Sequence, residues 1–223
     1  MKIGGLQKTS LIDYPDIISA VVFTQGCNLK CGYCHNGVLL APLGNEISEE
    51  TFFDFLDSRK KYLQGIVVTG GEPTIHSDLP EFLSKIRLLG FKIKLDTNGS
   101  NPEMVAKLIK EKLVDFIALD IKQDLDNEKY EFITGKTNLP HLLENIKATI
   151  SIILNSKIKH EFRLTAIKGV HRIEDIRSLI NKVKGNFILQ TFNPDNVYDP
   201  NFSDYKSFSK LELEDEFPEV VVR

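Results

Sequence analysis

Apolar positions along this chain fall into short runs separated by amphipathic stretches. Residues 17–23 are a run rich in β-branched side chains, from Ile17 to Phe23, and read as a buried strand. Residues 46–63 then carry Ile47, Phe52, Phe55, Leu56 and Leu63 at helical spacing, with Ser48, Glu49 and Glu50 as the opening turn. The alternation continues. Strands are predicted at 65–69, 91–96, 115–121, 161–166 and 186–192, and helices over 79–89, 102–113, 141–154 and 173–183. Gly90 closes the second of these helices and Pro102 opens the third.

Three stretches fall outside the pattern. Residues 1–16 are mixed and predict an extended lead-in or short hairpin. Residues 123–139 are polar and irregular, with Tyr130 and Phe132 packing locally. The tail, 195–223, is charged and aromatic and ends in a short strand at 220–222. No repeat, low-complexity tract or linker divides the chain, so one domain is expected over 1–223.

Strands alternating with helices predict parallel β/α units. Six of them suit an α/β fold of the incomplete (β/α)6 barrel type, with a doubly wound sheet as the alternative. Either fold puts its chemistry at the C-terminal ends of the strands.

Composition narrows the function classes. The net charge of −3 and pI near 6.0 argue against nucleic acid as a partner. No apolar stretch approaches the roughly 18 residues of a membrane span. The N-terminus shows no charged-then-apolar leader, which predicts a cytoplasmic protein.

All three cysteines, Cys27, Cys31 and Cys34, lie within eight consecutive positions after the first strand. Gly26 and Gly32 allow the backbone between them to curl around one centre. Three thiolates on a [4Fe–4S] cube leave one iron without a protein ligand, and an open iron can bind and activate a molecule. Zinc is the rival and needs a fourth ligand, for which His35 is the candidate. An odd cysteine count without a secretory signal argues against a disulfide framework.

The spacing C-x-x-x-C-x-x-C with Tyr33 in the aromatic slot resembles the cluster loop of the radical S-adenosylmethionine (SAM) superfamily. The flanking text, residues 4–15 and Phe23-Thr24-Gln25-Gly26-Cys27, resembles the activating proteins of anaerobic ribonucleoside-triphosphate reductase. That resemblance implies an incomplete barrel of parallel strands, a [4Fe–4S] cluster on Cys27, Cys31 and Cys34, and SAM as cofactor.

Polar residues gather where the predicted strands stop. The second strand ends in Thr69-Gly70-Gly71-Glu72-Pro73, where paired glycines permit close approach and Glu72 suits an ammonium group; a plain glycine-proline turn is the alternative. By resemblance, Gly70, Gly71 and Glu72 form the site for the methionine amino group. The third strand ends in Asp96-Thr97-Asn98-Gly99, and the fourth places Asp120 and Lys122 on one face. An ion pair would account for a buried carboxylate at Asp120 without any ligand. In glycyl-radical activating enzymes, similar strand ends hold a monovalent cation and the SAM carboxylate or ribose, so Asp96, Thr97, Asn98, Asp120 and Lys122 inherit cofactor contacts. Arg163 and Thr165 share a face of the fifth strand, and Arg163 reaches either the cofactor or a salt bridge. Asn193 follows the sixth strand where some related activases carry histidine. Tyr33 completes the expected cofactor-binding set.

The resemblance implies a radical SAM oxidoreductase that cleaves SAM reductively and installs a glycyl radical on a partner, the anaerobic ribonucleotide reductase. Flavodoxin or ferredoxin would donate the electron. The first alternative keeps the radical chemistry but targets a small molecule, as 7-carboxy-7-deazaguanine synthase does. The second is a non-catalytic zinc or iron–sulfur site. His76, His141, His160 and His171 show no ligand spacing and read as surface or loop residues.

Overall fold

A computed structural model describes residues 1–41, 44, 46–135 and 141–223. Its centre is a run of six parallel strands in sequence order: β2 (Ser19–Thr24), β3 (Gly65–Gly70), β4 (Lys92–Thr97), β5 (Phe116–Asp120), β6 (Lys159–Lys168) and β7 (Phe187–Thr191). β1 (Ile3–Ser10) pairs antiparallel with β2, so the lead-in is a hairpin. At the far edge β9 (Val221–Val222) adds a parallel strand to β7, as the apolar C-terminal triplet predicts, and β8 (Lys206–Ser207) pairs with β6. Among the described residues β1 and β9 do not pair with each other, so the barrel is incomplete.

The helices lie where the apolar periodicity puts them: α1 (Glu49–Arg59), α2 (Leu79–Leu88), α3 (Pro102–Lys110), α5 (Leu142–Asn155) and α6 (Ile173–Val183). Their ends follow local chemistry. Ser48 accepts from the Thr51 amide, Asn101 accepts from the Met104 amide ahead of Pro102, and Gly90 leaves α2 at φ +91. α1 is shorter than its pattern because Ile47 bridges Ile3 of β1 before the helix begins.

Two helices escaped the periodic reading. α4 (Asn127–Thr134) stands in the segment expected to be irregular, whose residues 136–139 lie outside the described residues. It buries only one edge, Tyr130, Ile133 and Thr134, so its apolar signal is thin. Phe132, expected to pack locally, is more than half exposed although its ring lies 6.0 Å from that of Phe202. α7 (Lys210–Glu216) carries a capping box between Ser209 and Glu212, a signal present in the sequence as S-x-x-E.

Packing divides the molecule into an outer and an inner layer. The larger apolar core lies between the sheet and its helices and includes Val22, Val68, Leu95, Leu119 and Leu164. Inside the barrel, Val21, Val67 and Phe116 meet Tyr14 from the hairpin connection, which closes the base of the interior. The inward positions of β4 and β6 are instead charged. Lys94 and Glu161 are each 1% exposed and sit behind Asp96 and Arg163 on the same strand faces. The interior is thus apolar toward β2 and β3 and ionic toward β4, β5 and β6.

Candidate active site

A cavity of about 360 Å³ opens at the C-terminal ends of the parallel strands. It is lined by Cys27, Cys31, Tyr33 and Cys34 from the loop after β2, and by Gly70, Gly71 and Glu72 after β3. Asp96, Thr97 and Asn98 line it from β4, Asp120 and Lys122 from β5, Arg163 from β6 and Asn193 after β7. Every site residue expected from sequence therefore borders one cavity. Thr165 and Gln190, which face each other in the β6–β7 register, border it as well. The sequence signal for Gln190 was only its place near a strand end.

The cysteine loop is built by glycines and held from two sides. Gly71 comes so close to the loop that a Cβ there would lie 1.9 Å from the Gly26 carbonyl oxygen. The Glu72 amide donates to that same oxygen at 2.8 Å. From one flank the amides of Lys30 and Gly32 donate to the carbonyls of Thr134 and Ile133 at the end of α4. From the other, Tyr198 and Asp199 donate their amides to the carbonyls of Cys34 and Gly32. The ring of Phe202 lies on Gly32, where a Cβ would come within 2.1 Å of it. The segment leaving β7 thus folds back over the cysteine loop, and the His35 imidazole meets the Asn193 carbonyl at 2.9 Å.

The three thiols are unlinked, and burial is the main force raising their proton affinity, to about 11 for Cys27 and about 12 for Cys31. Among the described residues, no three Cys, His, Asp or Glu side chains converge closely enough for a single metal ion. Cys27, Cys31 and Cys34 nonetheless border the same cavity from one loop, so a group seated there can meet all three sulfurs. Donor chemistry agrees with a [4Fe–4S] cluster, since thiolates are the ligands such clusters take.

Glu72 is 1% exposed and its carboxylate accepts four hydrogen bonds from the protein. Oε1 accepts from the Thr74 amide at 3.1 Å, the Thr74 hydroxyl at 2.6 Å and the Thr97 hydroxyl at 2.7 Å. Oε2 accepts from the Asn98 amide at 2.7 Å. Burial raises the Glu72 pKa, and these four donors oppose the rise. Glu72 is therefore a clamp between the strand ends of β3 and β4, with one lone pair of Oε2 left toward the cavity. Asn98 extends the clamp, donating its side-chain amide to Asn28 of the cysteine loop at 2.9 Å.

The charged strand ends form one chain of ion pairs. Lys94 Nζ is 2.8 Å from Asp96 Oδ1, and Arg163 Nη2 is 3.2 Å from Asp96 Oδ2. Arg163 Nε donates to Asp120 Oδ1 at 2.7 Å, and Lys122 Nζ lies 3.3 Å from Asp120 Oδ2. Burial alone would raise the Asp120 pKa, but Arg163 and Lys122 hold it far below the usual carboxylate range. Burial works against the Lys122 cation, yet the Asp120 carboxylate holds its pKa well above the ordinary value. Its ammonium also stands 5.9 Å above the Tyr33 ring.

His171 departs from the expected surface position. It is 3% exposed; Nδ1 accepts from the Ile167 amide and Nε2 donates to the Lys122 carbonyl, both at 3.0 Å. The Lys122 amide donates to the Tyr130 hydroxyl at 2.9 Å. Lys122 is thus fixed at its amide by α4 and at its carbonyl by His171. His76, His141 and His160 are at least partly exposed.

Comparison with known proteins places this geometry. Residues 21–183 match the Radical SAM superfamily. A Methanocaldococcus jannaschii protein named as a glycyl-radical enzyme activating enzyme is 34% identical over 203 residues, covering 90% of this chain and 83% of that protein. A Methanosarcina mazei protein named as a GTP 3′,8-cyclase is 31% identical over 214 residues, covering 91% of this chain and 63% of that one. Among solved structures, a radical SAM methyltransferase from Sphaerobacter thermophilus superposes with a TM-score of 0.73 at 16% identity, over 94% of this chain and 66% of that one. That last likeness speaks to the fold alone.

Proposed function

This chain belongs to the radical SAM superfamily, and from that premise we propose that it is a glycyl-radical enzyme activating enzyme acting on an anaerobic ribonucleotide reductase. The observation that carries the reading is the single cavity in which three unlinked thiols face the ionic strand ends of β4, β5 and β6. The whole stretch 1–223 acts in this reading as one radical SAM domain. Cys27, Cys31 and Cys34 would hold a [4Fe–4S] cluster, which would supply the electron for reductive cleavage of SAM.

This chain's residues bind and orient. Lys122 has one carboxylate partner at 3.3 Å and keeps ammonium protons free for the SAM carboxylate. The backbone of Gly70 and Gly71 and the open lone pair of Glu72 receive the amino group. Thr97 and Asn98 are held by Glu72, so their task is to keep the β4 strand end in place against the cofactor. Tyr33, buried beside Lys122, walls the cavity from water. Asn193 borders the cavity with its side chain and ties its carbonyl to His35, which leaves its carboxamide nitrogen for the cofactor. No side chain is required to act as a general acid or base. A one-electron donor such as flavodoxin or ferredoxin would act in the cytoplasm; no helix among the described residues is long and apolar enough to cross a membrane.

The test uses anaerobically reconstituted protein with SAM and a strong reductant, then adds the partner reductase. 5′-Deoxyadenosine and methionine are expected first, followed by a glycyl-radical signal on the partner in electron paramagnetic resonance. A confirmed cluster that yields no 5′-deoxyadenosine removes the radical reading. The similarity to a GTP 3′,8-cyclase supports a second reading, a small-molecule substrate, although this chain spans less than two thirds of that relative. Deoxyadenosine formed without any glycyl radical on the reductase would favour it.

A further inference from the structure

Asp96 and Asp120 are two carboxylates at neighbouring strand ends of one cavity, both largely buried. Like charges so placed need compensation, since an unpaired buried carboxylate is costly. The activases that this chain resembles would supply a monovalent cation. Here each of the four carboxylate oxygens already has its own basic nitrogen. Asp96 Oδ1 has Lys94 and Asp96 Oδ2 has Arg163; Asp120 Oδ1 has Arg163 and Asp120 Oδ2 has Lys122. The distances run from 2.7 to 3.3 Å.

We propose that the Arg163 guanidinium is the resident cation of this site, bridging Asp96 and Asp120 in the place a monovalent metal ion would take, so that SAM binding requires no such ion. The inference rests on the SAM-binding reading of the cavity. Arginine suits the task because its planar fork offers separate N–H groups to two acceptors at once, which an ammonium on a flexible stem does less well. Strand register sets the fork in place: Arg163 stands directly opposite Asp120 on the neighbouring strand, and Asp96 lies one strand further, opposite Ala118. Behind it the buried Glu161 stands 3.7 Å from a third guanidinium nitrogen and is itself met by Arg223 at 3.1 Å. The group is therefore held from three sides.

Charge agrees with geometry. Lys94, Lys122 and Arg163 balance Asp96, Asp120 and the buried Glu161 one for one, so the cluster is already neutral without an added cation. A hard metal ion would also need several oxygen ligands, and at each oxygen here it would compete with a basic nitrogen already in place.

The experiment compares sodium, potassium and choline chloride at matched ionic strength. Its first readout is the thermal midpoint of the cluster-free protein, and its second the SAM affinity of the reconstituted protein by calorimetry. For the wild type both are expected to be indifferent to the cation, with affinities agreeing within about twofold since general screening is held constant. Arg163→Met leaves two carboxylate oxygens facing one gap. That variant should lose about tenfold or more in SAM affinity in choline, and regain stability and affinity with sodium or potassium. Should Arg163→Met not fold, Arg163→Lys, which keeps the charge but reaches one carboxylate, should show the same gain in weaker form. A wild-type midpoint or affinity that rises specifically with sodium or potassium overturns the proposal. So does a folded variant that ignores all three salts. A wild type that binds no SAM in any salt defeats the functional reading instead, and the thermal readout still decides the cation question.

Discussion

Replacing Glu72 with glutamine tests whether that residue is chiefly a clamp within the protein. Glutamine keeps the shape and exchanges one acceptor oxygen for an NH2 group. Two of the four donors on the carboxylate are backbone amides, Thr74 N and Asn98 N, which cannot turn into acceptors. They lie on different carboxylate oxygens, so either orientation of the glutamine amide sets an N–H against an N–H. The remaining donors are threonine hydroxyls, which can rotate to accept. One buried amide is thus orphaned, at about 1–3 kcal/mol, and the surviving hydrogen bonds lose their charge assistance, worth a further ~1 kcal/mol or so in sum. Release from burying a carboxylate offsets part of that, leaving a net loss of about 1–3 kcal/mol. For a chain of this size 1 kcal/mol corresponds to about 2–4 °C, so the thermal midpoint should fall by roughly 2–12 °C. The assay is circular dichroism melting of the cluster-free protein, where neither SAM nor iron contributes. A Glu72→Gln midpoint within about 2 °C of wild type would refute the clamp and return Glu72 to a purely ligand-binding role.

Three further outcomes follow from the same geometry. Replacing all three cysteines with alanine should abolish iron incorporation, read by iron and sulfide analysis, while the chain stays folded because the loop is tied by backbone bonds to α4 and the 198–199 segment. Phe202→Ala should cost about 3–5 kcal/mol by opening a cavity against Gly32 and Tyr33, and should also speed loss of the cluster to a chelator; unchanged chelation kinetics would count against its role as a backstop. His171 gives a pH dependence. Burial lowers its pKa from the ordinary value of 6.5, so the unfolded chain takes up the proton first as pH falls. Stability from this residue is complete above about pH 7 and declines on acidification through the unfolded-state pKa near 6.5, and His171→Gln should flatten that part of the curve.

Much of the architecture was legible because it is written in local terms. Each parallel strand is a short apolar run and each of the five crossover helices an amphipathic stretch, two of them opened by a side-chain cap at Ser48 and Asn101, so the type and order of the parallel β/α units followed from periodicity. The strand-end rule then brought residues as far apart in sequence as Cys27 and Asn193 to one cavity. Its roles were less legible. Glu72 reads in sequence as a free carboxylate beside glycines, and only the close approach of β3 and β4 shows that four protein donors already take it. Gly71 likewise reads as room for a ligand, whereas its missing Cβ first of all makes room for the Gly26 carbonyl.

What the sequence could not show is the framework that holds the cysteine loop from behind. Lys30 and Gly32 lean on carbonyls about a hundred residues later in the chain, and Gly32 and Cys34 on amides later still, at Asp199 and Tyr198. Neither supporting segment announces itself. α4 buries one edge of eight residues, and the 198–202 stretch contributes through backbone amides and one phenylalanine ring. Long-range hydrogen bonds between main-chain groups carry no side-chain pattern, so no periodicity analysis detects them. His171 is concealed in the same way: its function is to hold a carbonyl, that of Lys122, and its neighbours in sequence are those of a surface turn. The chemistry of this site can be read from side chains at strand ends, but its rigidity comes from distant backbone. Substitutions in α4 or at 198–202 should therefore alter cluster retention before they alter SAM recognition.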